Sequence, residues 1–443
     1  MSYLDNILFA ILLIIGFGYF YNSVKKIIRN INLGTAINRK DNPNARWKNM
    51  AMIALGQSKM VKRPIAGILH IIVYVGFVII NIELLEIIID GLFGTHRVFS
   101  FLGITYDVLI ASFEILALLV LVAVITFWIR RNSIKLKRFI SSDLNGYPKN
   151  DANYILYFEV ILMTLFLLMN ASDLHLQNVP GGFSHFVKAG AFPVSQFIEP
   201  IFNGISNELV MLLAEIFWWL HIVGILVFMN YLYFSKHLHI LLAFPNTYFA
   251  NLNPQGQFDN LESVTNEVKM MMDPNADPFA AAPATETEVP AKFGASDVQD
   301  LNWVQLLNAY TCTECGRCTS SCPANITGKK LSPRKIMMDT RDRLEEVGKN
   351  IDANKGVFVP DNKSLLNDYI TAEELWACTS CNACVEECPV SISPLSIIMD
   401  MRRYLVMEQS AAPMPINAMM TNIENNGAPW QYNQQDRLNW KNE

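Results

Sequence analysis

The first 311 residues of this 443-residue chain contain no cysteine. This absence argues against a secreted disulfide framework, which would distribute its cysteines through a short chain. The chain also lacks a G-x-G-x-x-G fingerprint, a P-loop and a Ser/His/Asp arrangement, so nucleotide-binding or hydrolase sites of those kinds are not expected. Charged residues make up only 17%, the formal net charge is −5, and no basic stripe with interleaved aromatic residues occurs. Nucleic-acid binding is therefore not expected either.

Apolar residues, in contrast, are abundant, at 51% of the chain. Five apolar runs are long enough to cross a hydrocarbon core of about 30 Å, which takes roughly 20 helical residues. The first run lacks a basic flank and a small-residue cleavage site, so we interpret it as a retained helix rather than a signal peptide. The sequence predicts a five-helix transmembrane bundle within residues 1–250, with helices near residues 4–22, 65–89, 107–129, 153–174 and 208–234.

Basic residues are concentrated in the loops on one side of this predicted bundle. Residues 23–63 carry ten Lys and Arg and residues 130–150 carry six, whereas the opposite loops carry only Arg97 and Lys188. Positively charged loops stay in the cytoplasm. The pattern predicts a multi-pass protein of the bacterial inner membrane, with its N-terminus outside and everything after the fifth helix in the cytoplasm.

The cytoplasmic part divides by composition. Residues 251–299 are predicted to be a flexible linker, because residues 273–297 are rich in Pro, Ala and acidic residues without an apolar period. Residues 300–409 are predicted to form a compact domain, and residues 410–443 a polar tail for partner docking.

All eight cysteines lie in two C-x-x-C-x-x-C-x-x-x-C-P motifs, the second 66 residues after the first. Three cysteines two residues apart form a tight loop whose thiolates converge on one [4Fe–4S] cluster. Two zinc sites are the alternative, but zinc favours pairs of C-x-x-C motifs. In two-cluster ferredoxins the fourth cysteine of each motif binds the other cluster. The predicted ligands are Cys312, Cys315, Cys318 and Cys388 for the first cluster and Cys378, Cys381, Cys384 and Cys322 for the second.

The segments between the motifs, including LSPRKIMMDTRDRLEEVG, have helical periodicity and little strand propensity. This domain resembles the all-helical ferredoxin domain of succinate-dehydrogenase iron–sulfur subunits and heterodisulfide-reductase small subunits. The resemblance implies an all-α protein, in which a five-helix bundle precedes an α-helical ferredoxin domain.

Histidines in the predicted bundle suggest a b-type haem. His70 lies about two turns into the second membrane helix, and His239 follows the fifth, so both are expected near the cytoplasmic face. Facing imidazoles suit the axial positions of a haem, and His237 could replace His239. Alternatively, each histidine only hydrogen-bonds a neighbouring helix or lies in the lipid interface.

The KRPIAGILH start of the second helix and the pattern of the fifth helix resemble the haem b gamma subunit of respiratory nitrate reductase. That family carries two stacked haems, and its second helix has another histidine ten residues after the first, where this chain has Ile80. An outer haem would have to use His221 with His175 as its partner. The competing interpretation is that His221 is a satisfied core histidine.

Carboxylates inside apolar runs are costly and mark functional sites. Glu83, Glu86 and Glu215 are predicted to lie near a quinone or to take up its protons.

From the first helix to Trp440 the chain resembles fused membrane iron–sulfur proteins proposed to oxidise electron-transfer flavoprotein, which share its N-G-x-P-W…R-x-x-W segment. In those proteins a cysteine-rich CCG domain follows, so the resemblance implies a CCG subunit that docks in trans; a disordered tail is the alternative. The implied function is a quinone-linked oxidoreductase subunit, passing electrons between a soluble donor and quinone through two clusters and haem b. Alternatives are a quinol-driven disulfide or sulfur reductase subunit and a non-enzymatic membrane-anchored iron–sulfur sensor.

Overall fold

The computed structural model of the protein describes residues 3–179, 188–274 and 292–442. The protein is about 70% helical. The only β pairing found in the described residues is two isolated bridges, Thr35 with Asn302 and Leu366 with Ile370. The predicted all-α class is confirmed.

Five long helices form the membrane bundle, and each contains one of the predicted apolar runs. At 1.5 Å per residue a 29-residue helix spans about 43 Å, more than the hydrocarbon core requires. Large apolar side chains on their outer surfaces, such as Ile14 and Ile68, are exposed, as expected for contact with lipid. The helices of this half are α1 (Tyr3–Ile31), α2 (Pro43–Met50), α3 (Pro64–Phe93), α4 (Ile104–Asn132), α5 (Tyr147–Gln177), α6 (Asn207–Tyr231) and α7 (His239–Tyr248), of which α2 and α7 are short.

Short helices around one long one build the second half of the molecule. Residues 292–409, called the cysteine domain below, pack around the long helix α12 (Pro333–Ala353), whose Ile336, Leu344 and Val347 are fully buried. The helices here are α8 (Glu262–Met272), which precedes the domain, then α9 (Trp303–Thr311), α10 (Arg317–Ser320), α11 (Pro323–Ile326), α12 (Pro333–Ala353), α13 (Leu365–Asp368), α14 (Ala372–Trp376), α15 (Ala383–Glu387) and α16 (Pro394–Met407), and finally α17 (Met414–Asn426).

The predicted flexible linker over residues 251–299 is wrong at its C-terminal end. Ala295 and Val298 are buried, and Asp297 binds the fully buried guanidinium of Arg343 at 2.8 Å. Residues 292–299 therefore belong to the cysteine domain, because their few apolar side chains enter its core although their composition resembles a linker. Residues 275–291 of the predicted linker lie outside the described residues.

The cysteine domain rests directly on the loops at one end of the bundle. The backbone of Thr35, just after α1, accepts a hydrogen bond from Trp303 N at 3.2 Å and donates one to Leu301 O at 2.8 Å. Gly34 permits this approach, since a Cβ there would lie 2.6 Å from Trp303 N. The opposite end of the bundle, where α3 ends and α4 begins, is called the far side.

A buried ion pair also joins the two halves. Arg334 of α12 is 1% exposed, and its guanidinium binds Asp143 in the α4–α5 loop with N–O distances of 2.6 and 3.0 Å. Such a pair fixes the orientation of the domain, because neither buried charge would have another charged partner if the domain moved.

We predict that Asp143→Ala lowers the free energy of unfolding by about 3–5 kcal/mol, because it leaves the Arg334 charge buried and unpaired. Thermal unfolding of the full chain in detergent measures the loss. Glu373→Ala, which breaks the exposed Lys330–Glu373 pair, is the control and should leave the transition unchanged. An equal effect of both substitutions would contradict a special role for the buried pair.

Candidate metal centres

The two cysteine loops adopt the same backbone conformation. Glu314 and Gly316 in the first loop have φ values of +53° and +71°, and Ser380 and Asn382, each 66 residues later, have +57° and +59°. Left-handed backbone is uncommon outside glycine, so its recurrence at equivalent positions marks a structural repeat. Gly316 also lies close to the buried ion pair, since a Cβ there would come within 2.6 Å of Arg334 Nη1.

The first loop shares a pocket with the last cysteine of the second motif. Cys312, Cys315 and Cys318 line this pocket together with Cys388, which follows the end of α15, and Cys384 of the second loop also borders it. Ile392 N donates to Cys388 Sγ at 3.3 Å. Backbone N–H groups directed at the sulfur atoms stabilise thiolate charge.

The second loop lies, in turn, next to the last cysteine of the first motif. Cys378 and Cys384 interact electrostatically with each other, with Cys381, and with Cys322 from the start of α11. Ser380 N donates to Cys378 Sγ at 3.4 Å. Cys381 is exposed, unlike the other three, so this loop lies at the surface of the cysteine domain.

The chemistry of these thiols fits an iron–sulfur cluster. Burial raises the pKa of Cys312 and Cys384 to about 12 and that of Cys388 to about 11, so their deprotonation requires a bound cation. Within the described ranges no three His, Cys, Asp or Glu side chains are placed so that they could hold a single metal ion. A zinc site with Zn–S bonds of about 2.3 Å would hold its thiolates about 3.8 Å apart. Thiols spread around a pocket suit a cluster of several iron and sulfide ions.

His70 and His239 face each other where the bundle meets the cysteine domain. Their ring centroids are 6.4 Å apart with an interplanar angle of 40°. Two metal–nitrogen bonds of about 2 Å plus two centroid-to-nitrogen distances of about 1.2 Å give about 6.4 Å, so one iron fits between them. His239 Nδ1 lies 3.1 Å from Lys236 O, which leaves Nε2 for a metal, and His70 Nδ1 is buried without a hydrogen-bond partner.

His237 lies beside this pair. Its ring is 5.4 Å from that of His239, nearly perpendicular to it at 87°, and 5.5 Å from the ring of Phe228. The structure thus brings the predicted pair and the alternative ligand to one place.

His221 lies deeper in the bundle, in a cavity of about 90 Å³ lined by Ile80, Glu83 and Glu159 but by no second histidine of the described residues. Its ring packs 5.9 Å from that of Phe166. The predicted partner His175 lies nine residues after Phe166 on α5, which is about 13.5 Å along the helix axis. Its imidazole binds Glu199 at 2.6 Å. The structure therefore does not bring His221 and His175 together, and the expected pairing for an outer haem is corrected.

A polar cavity of about 130 Å³, called the far-side cavity, lies at the opposite end of the bundle from the cysteine domain. It is lined by all three predicted acidic residues, Glu83, Glu86 and Glu215, together with Arg97 and Asp173. Glu86 accepts hydrogen bonds from Phe99 N at 2.9 Å and Tyr106 Oη at 2.8 Å. Glu83 is 4% exposed and its Oε2 has no partner, whereas Glu215 is exposed at the rim.

The family described as "4Fe-4S dicluster domain" matches residues 311–392, which include both cysteine loops. Over 91% of its length the chain is 30% identical to the protein named "Probable iron-sulfur-binding oxidoreductase FadF" of Bacillus subtilis. The chain is related to iron–sulfur oxidoreductases.

Two further relatives of this chain carry different names. The "EtfAB:quinone oxidoreductase" of Syntrophomonas wolfei is 25% identical over 92% of this chain. One subunit of the "Ferredoxin/F(420)H(2)-dependent CoB-CoM heterodisulfide reductase" of Methanosarcina acetivorans is 32% identical over 24% of this chain and 52% of its own length. The chain spans 55% of the length of each of the two oxidoreductases. No solved structure matches the chain.

Sequence reasoning missed Arg97, counted there only as a lone basic residue in an outer loop. Its guanidinium is buried and donates to Asp173, to Tyr106 Oη at 3.0 Å and to Asn170 Oδ1 at 3.1 Å. A single basic residue in a short loop beside several intramembrane acids was the signal that could have identified it.

Proposed function

We propose that the protein is a membrane electron-transfer subunit that passes electrons between a soluble redox partner and quinone. The observation that carries this proposal is the contact between the first cysteine loop and the membrane segments that bear His70 and His239. Arg317 of that loop is buried and donates to Lys59 O at 3.1 Å and to Met60 O at 3.4 Å, just before α3. Redox groups at these two places would be neighbours.

Two [4Fe–4S] clusters with crossed ligation account for all eight cysteines. The first pocket supports Cys312, Cys315, Cys318 and Cys388 as one ligand set, and the electrostatic neighbours of Cys378 and Cys384 support Cys378, Cys381, Cys384 and Cys322 as the other. When bound, such clusters accept and donate single electrons. The chain contributes burial, N–H donors and close spacing of the two sites.

One haem b is proposed between His70 and His239, at the end of the bundle nearest the cysteine domain. Their 6.4 Å ring separation supports this pairing over one that uses His237. Positive loops on the same side support an orientation in the inner membrane with the cysteine domain in the cytoplasm.

The far-side cavity is the proposed quinone site. Quinone reduction consumes two electrons and two protons, and Glu83 supplies an unpartnered carboxyl oxygen there, while Glu86 and Arg97 hold fixed hydrogen bonds. The carboxyl of Glu83 would transfer a proton to or from the quinone oxygen.

We predict that Glu83→Gln slows quinone reduction by about 10²-fold while leaving haem content unchanged, because an amide cannot exchange that proton. Steady-state reduction of a soluble quinone analogue by the chemically reduced protein measures the rate. Glu208→Gln, at the exposed far-side start of α6, is the matched control and should retain full rate. Wild-type turnover by Glu83→Gln would exclude this carboxyl from the reaction.

The C-terminal segment is the proposed binding site for a CCG-type subunit. Helix α17 buries none of its residues, and Trp430 and Trp440, which follow it, are exposed. Such aromatic residues are enriched in protein interfaces. The soluble donor is proposed to be electron-transfer flavoprotein, because a relative bears the name "EtfAB:quinone oxidoreductase".

The second candidate is a quinol-driven reductase of a disulfide, which the similarity of the cysteine domain to a heterodisulfide reductase component favours. The deciding experiment reconstitutes the protein in lipid nanodiscs with menaquinone. Our proposal predicts quinol formation when reduced electron-transfer flavoprotein is added. Quinol-dependent disulfide reduction without flavoprotein oxidation would favour the alternative, and protein without haem would favour a sensor.

A further inference from the structure

The first cysteine loop contains a buried carboxylate, Glu314, between Cys312 and Cys315. Its side chain is 3% exposed, and its two oxygens bind different cations: Oε1 binds Arg341 at 2.9 Å, and Oε2 binds Lys236. These two ion pairs hold the Glu314 carboxylate beside the first cysteine pocket.

Lys236 belongs to the segment that carries His239. Its side chain is 9% exposed, and Nζ also donates to Pro148 O at 2.6 Å. Its own carbonyl oxygen is the partner of His239 Nδ1 at 3.1 Å. The residue that orients the imidazole of His239 is thus the residue that binds Glu314.

The second cysteine loop has no such link. The position equivalent to Glu314 is Ser380, whose hydroxyl lies 3.9 Å from Met399 Sδ. The neighbouring Cys381 is exposed. Only the first of the two loops therefore holds a buried carboxylate bound to the residue that orients a predicted haem ligand.

We propose that Glu314 is a positioning residue that joins the first cysteine loop to His239 through Lys236, so that electrons cross to and from the membrane bundle at this loop. This inference rests on the proposed function, because it assumes that cluster and haem occupy these residues. Outer-shell partners of metal ligands fix ligand orientation and tune the bound group. A negative charge close to a cluster stabilises its oxidised form, and a positive charge stabilises its reduced form.

Two substitutions should therefore shift one cluster in opposite directions. Glu314→Gln removes the negative charge and should favour the reduced cluster at least tenfold, a rise of 59 mV for a one-electron couple. Lys236→Met removes the positive charge and should lower the same potential. The double variant should return close to the wild-type value. Redox titration of the full-length protein, followed by electron paramagnetic resonance and the haem absorption bands, measures all three.

Arg402→Gln is the matched control, because Arg402 donates to Cys378 O and Leu375 O beside the second loop. It should shift the other cluster only. Loss of packing alone would move both single variants in the same direction, so opposite shifts support the inference. Unchanged potentials in protein that holds both clusters and haem would overturn the inference while leaving the proposed function intact. Wild-type protein without haem would overturn both.

Discussion

Replacing Cys322 with serine is expected to destroy the cluster at the second cysteine loop, although Cys322 belongs to the first motif. Cys322 lies at the N-terminus of α11 and interacts electrostatically with Cys378 and Cys384. The structure places Cys388, rather than Cys322, in the pocket of the first loop. The first cluster should therefore keep its four ligands.

Iron analysis and electron paramagnetic resonance of the purified variant measure this effect. Non-haem iron should fall from about eight to about four atoms per chain, since each cubane contains four. Cys388→Ser is the reciprocal control and should remove the other signal. Loss of the same signal in both variants would show that ligation is not crossed.

His70→Ala is expected to remove nearly all haem b and to leave both clusters in place. The substitution removes one of the two imidazoles that would hold the haem, and the shorter side chain leaves a cavity at the site. Haem content by the pyridine haemochrome assay should fall below about a tenth of the wild-type value. Iron in the clusters should remain unchanged, because all eight cysteines lie in the cysteine domain and His70 lies on α3.

His237→Ala and His221→Ala are the matched controls for this variant. His237 stands next to His239 with its ring nearly perpendicular, and His221 has no second histidine in its cavity among the described residues. Both variants should retain haem. Loss of haem in His237→Ala together with retention in His70→Ala would assign the ligand pair differently.

The sequence was most informative where spacing itself carries the chemistry. Two cysteine motifs 66 residues apart predicted an iron–sulfur domain, and long apolar runs predicted five membrane helices, because both features depend on local sequence. Helical periodicity likewise predicted an all-α protein. The proximity of His70 to His239 could be predicted because the second and fifth membrane helices run in opposite directions.

Features that depend on long-range packing were missed or predicted wrongly. The contact of Arg334 with Asp143 joins residues 191 positions apart, and no local sequence pattern predicts it. Ala295 and Val298 enter a core although their neighbours have the composition of a linker. His175 was chosen for its position near the far side, but its imidazole binds Glu199. The contacts of Arg97 with Asp173 and Tyr106 likewise depend on the fold, which brings these residues together.

The most direct test of electron transfer between the cysteine domain and quinone is reoxidation after anaerobic reduction. Wild-type protein and His70→Ala are reduced with dithionite, freed of excess reductant and mixed with menaquinone, while cluster and haem signals are followed. The account predicts rapid reoxidation of both clusters in the wild type and clusters that stay reduced in His70→Ala. Equally rapid reoxidation of the clusters in both proteins would contradict a route through the His70–His239 site.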